Sequence, residues 1–211
     1  MTGVLFDLDG TLLDTLADLT DGVNYAVAQY GYPERTKEQV RADIGNGAAK
    51  LIQLSIPEGA DYRPVLETYR AYYNAHCQVK TGPYPGVTEA LEELRRKYPV
   101  AVVSNKPDLT VKALCANYFP GIYALGETPD CPRKPAPDML FKAMKELGVD
   151  RCIYVGDSEV DVFTAQTAGM PCISVTWGFR DAEILEEAGA ACLCRDARLL
   201  PELVAEIESS M

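Results

Sequence analysis

The strongest constraint on the fold is a regular alternation of strand and helix patterns from Tyr84 to the end of the chain. Short apolar runs of strand length are each followed by a longer stretch in which apolar residues recur at helical spacing. Such alternation favours an α/β fold with a mostly parallel sheet and helices on both of its faces. Strands are predicted near 100–104, 122–125, 151–156, 171–175 and 191–194, and helices near 85–97, 107–117, 137–147, 159–168, 181–188 and 198–207.

Residues 15–80 interrupt this alternation with helical patterns alone. In the first of them, Leu16, Leu19 and Val23 recur at helical spacing. We therefore predict an α/β core formed by residues 1–14 and 81–211, with an all-helical domain inserted at 15–80. The inserted helices are predicted near 15–30, 36–43, 47–55 and 61–79.

An acidic pair follows the first apolar run. Residues 4–6 are predicted to form a buried strand, and Asp7 and Asp9 come at its carboxyl end. Alternate residues of a strand share a face, so the two carboxylates are expected side by side. They cannot both ionise freely unless a positive group lies beside them. Gly10 permits a sharp turn, and Thr11 adds a hydroxyl that serves either the site or the turn.

Three further polar motifs lie downstream. Ser104-Asn105-Lys106 and Gly156-Asp157-Ser158 each follow a predicted strand, and Asp161 comes four residues after Asp157. Lys134 lies in a proline-rich loop before a helix. The carboxyl ends of parallel strands meet at one edge of a sheet, so these motifs are predicted to share a site. Locally, Ser104 could instead cap the helix near Pro107, and a single lysine is usually a solvated surface residue. If the next helix begins at Ser158, we expect Asp157 and Asp161 to lie on one face of that helix.

This ordered set of an acidic pair, a serine, a lysine and a Gly-Asp pair resembles the four motifs of the haloacid dehalogenase superfamily. The pair Asp7 and Asp9 resembles the phosphatase branch of that superfamily. The resemblance implies a Rossmann-like, doubly wound core with a helical cap, and an Mg²⁺-dependent phosphohydrolase. Asp7 would be the nucleophile that forms an aspartyl-phosphate, and Asp9 the general acid and base.

The same resemblance assigns the other residues. The ligands of Mg²⁺ would be the Asp7 carboxylate, the Asp9 main-chain carbonyl and Asp157, with Asp161 acting on a bound water or supporting the ligands. The residues that would bind the phosphoryl group are Ser104 with its neighbour Asn105, Lys134 and Thr11.

Three segments narrow the resemblance to bacterial phosphoglycolate phosphatases: Gly45-Asn46-Gly47, Ser104-Asn105-Lys106-Pro107 and Thr176-Trp177-Gly178-Phe179. This implies 2-phosphoglycolate as substrate, with its carboxylate bound by Lys106 and by the Gly45-Asn46-Gly47 turn with Lys50. Glycines at a helix start leave main-chain N–H groups free for an anion, although a plain turn is the alternative. Other activities compatible with the motifs are a phosphosugar mutase similar to β-phosphoglucomutase and a pyrophosphatase. A non-catalytic regulator that binds a phospholigand is disfavoured because the catalytic set is complete.

Composition limits the partners. A net charge of −11 argues against nucleic acid or an anionic membrane surface, so the expected partner is a small phosphorylated metabolite. The protein is expected to be a monomer or a weak homodimer. An odd number of cysteines, seven, favours free thiols and a reducing cytoplasm over a disulfide framework.

Overall fold

A computed structural model describes every residue from Met1 to Met211. Its internal contacts divide the chain into two compact units. The sheet unit consists of Met1–Leu13 and Pro83–Met211, and the helical unit consists of Asp14–Gly82.

The strands are β1 (Thr2–Phe6), β2 (Leu13–Asp14), β3 (Gly82–Pro83), β4 (Val100–Pro107), β5 (Tyr123–Glu127), β6 (Arg151–Gly156), β7 (Cys172–Val175) and β8 (Cys192–Cys194). The helices are α1 (Leu16–Ala28), α2 (Lys37–Asp43), α3 (Gly47–Ser55), α4 (Tyr62–His76), α5 (Val87–Arg95), α6 (Asp108–Tyr118), α7 (Asp138–Leu147), α8 (Glu159–Ala168), α9 (Ala182–Glu187) and α10 (Leu200–Ser210).

Six strands of the sheet unit form one parallel sheet in the order β5-β4-β1-β6-β7-β8. The central strand β1 is buried along its whole length, as its apolar sequence requires when helices cover both faces. Leu5 of β1 belongs to an apolar cluster with Val103 of β4 and with Met139 and Leu140 of α7. The predicted Rossmann-like α/β fold is therefore confirmed.

The helical unit contains α1 to α4. Helices α1 and α4 pack closely at Gly22, where a Cβ atom would lie 3.1 Å from the ring of Tyr69. Val23, Val65 and Tyr69 are among its buried residues, and they come from the apolar positions of the two helical patterns. None of the helices of the chain combines the length with the apolar character that crossing a lipid bilayer requires.

The predicted helix at 61–79 is too long, and a buried carboxylate explains its early end. Helix α4 stops at His76. The main-chain N–H groups of Val79, Lys80 and Thr81 then donate to the Asp18 carboxylate, at 2.9 to 3.1 Å. These three N–H groups donate to the buried Asp18 carboxylate instead of to carbonyl groups of the preceding helical turn.

Two other boundaries differ from the sequence prediction for local reasons. Strand β4 continues three residues beyond 104, because Pro107 still pairs with Glu127 after an irregularity in the register. Helix α10 begins at Leu200, and the preceding three residues form a 3-10 turn capped by the Asp196 side chain. The two-residue strands β2 and β3 were not predicted, because so short a segment carries no periodic pattern.

Candidate active site

The predicted site residues of the sheet unit lie where adjacent strands end. Asp7 follows β1 directly, Ser104 lies in the second half of β4, and Asp157 follows β6 directly. The sheet extends from β1 through β4 and β5 on one side and through β6 to β8 on the other. In open α/β sheets, ligands bind at the point where the strand order reverses in this way.

Asp7 and Asp9 lie at the carboxyl end of β1, just beyond its last residue, Phe6. Asp9 forms an isolated bridge with Leu13, and the turn between them begins at Gly10. That the two carboxylates share one face stays a prediction. Gly10 has a φ angle of +84°, and a Cβ atom there would lie 2.2 Å from Asp157 Oδ2. The turn thus needs glycine for its conformation and also for the close approach of Asp157.

Each carboxylate of the acidic pair has its own lysine. Lys134 Nζ lies 2.9 Å from Asp7 Oδ1, and Lys106 Nζ lies 2.9 Å from Asp9 Oδ2. All four side chains are largely buried. Lys134 is thus not the solvated surface lysine that its sequence also allowed. Each carboxylate of the pair thus has a separate counter-ion, which offsets the repulsion between them.

Lys134 is surrounded by oxygen atoms. Besides Asp7, its ammonium group donates to Asp161 Oδ1 at 2.8 Å and to the Tyr154 hydroxyl at 2.8 Å. The Tyr154 hydroxyl in turn donates to Asp161 Oδ1 at 2.9 Å. An ammonium group has three N–H donors, so these contacts fix its position well.

The motif at the end of β4 contributes one side chain to this arrangement. The Asn105 amide donates to the Lys134 carbonyl at 3.0 Å, and its Oδ1 accepts from the Lys134 N–H at 2.9 Å. Asn105 therefore holds the lysine loop, and its predicted contact with the phosphoryl group stays a prediction. Ser104 is buried and accepts from the Lys106 N–H at 3.3 Å. It does not cap helix α6, whose N-cap is Pro107.

Asp161 occupies the third position of helix α8, where it completes a capping box with Ser158. Its Oδ2 accepts from the Ser158 hydroxyl at 2.7 Å and from the Asp157 N–H at 3.2 Å. Asp157 lies before the helix, so the expectation that Asp157 and Asp161 share a helical face is wrong. The turn between β6 and α8 brings them together instead.

Burial and crowding change the protonation of these groups. Burial raises the pKa of Asp7 from 3.8 to about 7, against the attraction of Lys134 and with the repulsion of Asp161. Burial, followed by repulsion from Asp161 and Asp7, raises the pKa of Asp157 well above its usual value. Burial alone would raise the pKa of Asp161 too, but the charge of Lys134 and the hydrogen bonds from Lys134, Ser158 and Tyr154 together outweigh burial and lower that pKa.

The three carboxylates fit a divalent cation. Asp7, Asp157 and Asp161 each offer an oxygen, and these oxygens lie within 4.8 Å of one another. When all three are ionised, they carry two more negative charges than the one ammonium group among them, that of Lys134, can offset. The buried Asp7 Oδ1 forms an ion pair with Lys134 but has no hydrogen bond of good geometry. An all-oxygen donor set of this charge suits Mg²⁺.

The other predicted residues have the following positions. Thr11 is buried, and its hydroxyl donates to Asp157 Oδ1 at 3.1 Å. The Asp9 carboxylate is not part of the three-carboxylate group, so a metal contact through its main-chain carbonyl stays a prediction. In the helical unit, Gly45 and Gly47 have φ angles of +123° and +78°, and Lys50 is exposed. With Asn46, the N-cap of α3, they remain predicted substrate-binding residues.

Sequence reasoning missed one residue that contacts this site and two that lie close in the chain to residues that contact it. Tyr154 is fully buried in β6, where the surrounding apolar run makes it look like a core residue. Arg180 and Glu159 form an ion pair of 2.7 Å. Glu159 comes two positions after Asp157, and Arg180 follows Phe179, whose N–H donates to Asp157. A tyrosine just before a Gly-Asp motif, with a lysine and an aspartate nearby to pair with, was the signal that could have found the first.

Comparison with known proteins agrees with this geometry. The family model described as haloacid dehalogenase-like hydrolase matches residues 4–175. A phosphoglycolate phosphatase of Pseudomonas syringae pv. tomato is 34% identical, over 93% of this chain and 77% of that protein. A phosphoglycolate phosphatase of Agrobacterium fabrum is 32% identical, over 97% of this chain and 93% of that protein.

A solved structure adds a match in three dimensions. The crystal structure of a candidate phosphoglycolate phosphatase from Lactobacillus delbrueckii subsp. bulgaricus has 40% sequence identity and a TM-score of 0.90, over 96% of this chain and 97% of that one. The matches in sequence and in fold extend over most of the chain, and the residues matched by the family model include Asp7, Asp157 and Asp161. The chain belongs to the haloacid dehalogenase-like hydrolase family.

Proposed function

We propose that this protein is an Mg²⁺-dependent phosphatase that hydrolyses a small phosphate monoester, 2-phosphoglycolate, through a phosphorylated Asp7. The observation that carries the proposal is the buried group of Asp7, Asp157 and Asp161, with Lys134 paired to Asp7 and Asp161. The names of the relatives from Pseudomonas syringae and Agrobacterium fabrum support the choice of substrate.

In the first step, a carboxylate oxygen of Asp7 attacks the phosphorus atom, and the bond from phosphorus to the ester oxygen breaks. The departing oxygen takes a proton from Asp9, which acts as the general acid. Lys106, at 2.9 Å from Asp9, stabilises the carboxylate that remains after the proton has left.

In the second step, a water molecule attacks the phosphorus atom of the aspartyl-phosphate, and Asp9 takes the proton of that water. The bond between Asp7 and phosphorus breaks, inorganic phosphate is released, and the Asp7 carboxylate is restored. One residue thus serves as acid and then as base, which returns the protein to its starting protonation.

Charge on the transferring group is the main obstacle in both steps. We assign Asp7, Asp157 and the Asp9 main-chain carbonyl to hold a magnesium ion, which would supply positive charge near the phosphoryl oxygens when bound. Asp161 supports these ligands, because its two oxygens already accept hydrogen bonds from Lys134, Tyr154, Ser158 and the Asp157 N–H. Ser104 and Lys134 are the proposed donors to the phosphoryl oxygens. Lys134 has hydrogen bonds to Tyr154 and Asp161 but only an ion pair with Asp7, so its third N–H is the one assigned to the phosphoryl group.

Lys106 is the proposed contact for the substrate carboxylate in the sheet unit. It is a buried ammonium group next to the general acid, so a carboxylate bound to it would be close to the phosphoryl group. In the helical unit we assign the same role to Gly45, Asn46 and Gly47, whose main-chain N–H groups open helix α3, and to Lys50.

The test is release of inorganic phosphate from 2-phosphoglycolate and from p-nitrophenyl phosphate, which has no carboxylate. Lys106→Ala should lower kcat/KM for phosphoglycolate about ten- to a hundredfold more than for p-nitrophenyl phosphate. Lys112→Ala is the matched control, because this lysine is exposed and pairs with Asp108. Lys112→Ala should leave kcat/KM unchanged for both substrates.

Equal losses on both substrates would contradict the assignment of Lys106 and would limit its role to Asp9. A preference of the unmodified protein for a hexose phosphate or for pyrophosphate would contradict phosphoglycolate as substrate. Full activity after exhaustive chelation of divalent metals would contradict the magnesium site.

A further inference from the structure

The loop that follows β7 fixes the direction of the Asp157 carboxylate. In this loop, residues 176–181, the Phe179 N–H donates to Asp157 Oδ2 at 2.7 Å. The other carboxylate oxygen accepts from the Thr11 hydroxyl at 3.1 Å. Asp157 is 1% exposed, so these two donors rather than solvent hold it.

The same loop packs closely against one side of Asp157. A Cβ atom at Gly178 would lie 2.4 Å from Asp157 Oδ2 and 2.4 Å from the Gly10 carbonyl oxygen. The main chain of the loop therefore lies directly on the carboxylate. Any displacement of the loop would lengthen the bond from the Phe179 N–H and release Asp157 from its orientation.

Two side chains anchor the loop on either side of Gly178. The Trp177 indole N–H donates to the Thr11 carbonyl at 3.0 Å. The Arg180 guanidinium donates through Nε to Glu159 Oε2 at 2.7 Å and through Nη2 to Oε1 at 3.3 Å. A bidentate ion pair of this kind fixes the relative position of its two side chains better than a single contact does.

The second anchor, the ion pair of Arg180 and Glu159, joins the two chain segments that meet at Asp157. Glu159 is the first residue of α8 and lies two positions after Asp157. Arg180 lies one position after Phe179 and is 7% exposed. The ion pair thus ties the segment that carries the Asp157 carboxylate to the segment that donates a hydrogen bond to it.

We infer that Arg180 and Glu159 are positioning residues for the divalent cation, which they affect through the Phe179 N–H and Asp157 without touching it. Partners that orient a metal ligand contribute strongly to metal affinity although they do not bind the metal. The inference rests on the magnesium site of the proposed function and adds two residues to its support.

The experiment measures the Kd of Mg²⁺ by calorimetry on chelator-treated protein. Glu159→Gln keeps the shape and removes the charge, and it should raise the Kd about tenfold. Arg180→Lys keeps the positive charge but cannot form the bidentate pair. Its Kd for Mg²⁺ should therefore lie between those of the unmodified protein and Glu159→Gln. The control is Arg198→Gln, which breaks an exposed ion pair with Asp196 in the same unit and should leave the Kd unchanged.

The thermal midpoint of each variant in chelator separates positioning from stability. A Kd within about twofold of the unmodified value in folded Glu159→Gln and Arg180→Lys would overturn the inference, even if their midpoints fell. An equal rise in the Kd of Arg198→Gln would overturn it as well. If Glu159→Gln does not fold, Arg180→Lys decides. Absence of Mg²⁺ binding by the folded, unmodified protein is a different result and contradicts the proposed function itself.

Discussion

Both units of the molecule bury carboxylates, and they satisfy them in opposite ways. In the helical unit, Asp18 is 3% exposed and accepts from three successive main-chain N–H groups and from the Thr81 hydroxyl. In the sheet unit, Asp7, Asp157 and Asp161 lie close together, and a single ammonium group, that of Lys134, pairs with two of them, Asp7 and Asp161.

The difference separates a structural charge from a functional one. Neutral donors around Asp18 compensate the loss of water and bring no further charge, so this carboxylate can stabilise the fold where it is. In the sheet unit, burial raises the pKa of Asp7 and of Asp157, and repulsion between the carboxylates raises both further. Such an arrangement favours a cation and a reaction over stability.

The sharpest test of this comparison is Asp7→Asn. The amide keeps the shape but cannot attack phosphorus, so kcat should fall by about four orders of magnitude or more. The free energy of unfolding in chelator should not fall, because one of three crowded charges has gone. Phosphate release and urea unfolding measure the two effects. Substantial turnover by a folded variant would remove Asp7 from the role of nucleophile.

Asp18→Asn should give the opposite result. The Asp18 carboxylate accepts hydrogen bonds from main-chain N–H groups. In the variant, the amide N–H₂ would face these donors and could accept from none of them, so the free energy of unfolding should fall by about 3 kcal/mol. The Kd of Mg²⁺ should not change. Asp21→Asn on the same helix is the control, because it breaks only an exposed pair with Lys80 and should lower stability by less than about 1 kcal/mol. Equal losses in both variants would break the comparison.

The pH dependence of stability gives a third test. The pKa of Asp7 is about 7 in the folded protein against 3.8 for the free side chain, so the folded state binds the proton more tightly. In chelator, stability should therefore fall as pH rises from about 4 to about 7. Saturating Mg²⁺ should reduce this fall, because the cation replaces the proton. Thermal midpoints of the unmodified protein and of Asp7→Asn should differ in slope, and parallel slopes would contradict the prediction.

The smallest expected effect belongs to Tyr154→Phe. This change removes only the hydroxyl that contacts Lys134 and Asp161, so kcat/KM should fall about tenfold with little change in the fold. Tyr98→Phe is the matched control, since it removes a hydroxyl that donates to Glu208. A loss in Tyr98→Phe as large as that in Tyr154→Phe would show that the Tyr154 hydroxyl acts only through general stability.

The sequence predicts what depends on local pattern and misses what depends on contacts across the fold. Strand and helix periods are local, so the parallel sheet and its helices follow from them to within a few residues. The end of α4 is wrong because Asp18, more than fifty residues away, takes the N–H groups of Val79 to Thr81.

The same limit applies to the candidate site. Asp7, Asp157 and Lys134 each follow or precede an element in a familiar motif, and the structure brings them together. Arg180 and Glu159 have no motif, and only the fold places them 2.7 Å apart. A side chain that acts by positioning another can be recognised only from the distance between the two, and the order of residues does not give that distance.

Trp177 is the only tryptophan in the chain, and its indole N–H is bound to the Thr11 carbonyl next to Asp157. The twelve tyrosines include several in the helical unit, such as Tyr25, Tyr69 and Tyr72. Light that excites tryptophan but not tyrosine therefore yields emission from one place alone, the loop that rests on Asp157. The protein carries its own optical probe at the site, and events there can be followed in real time without a label.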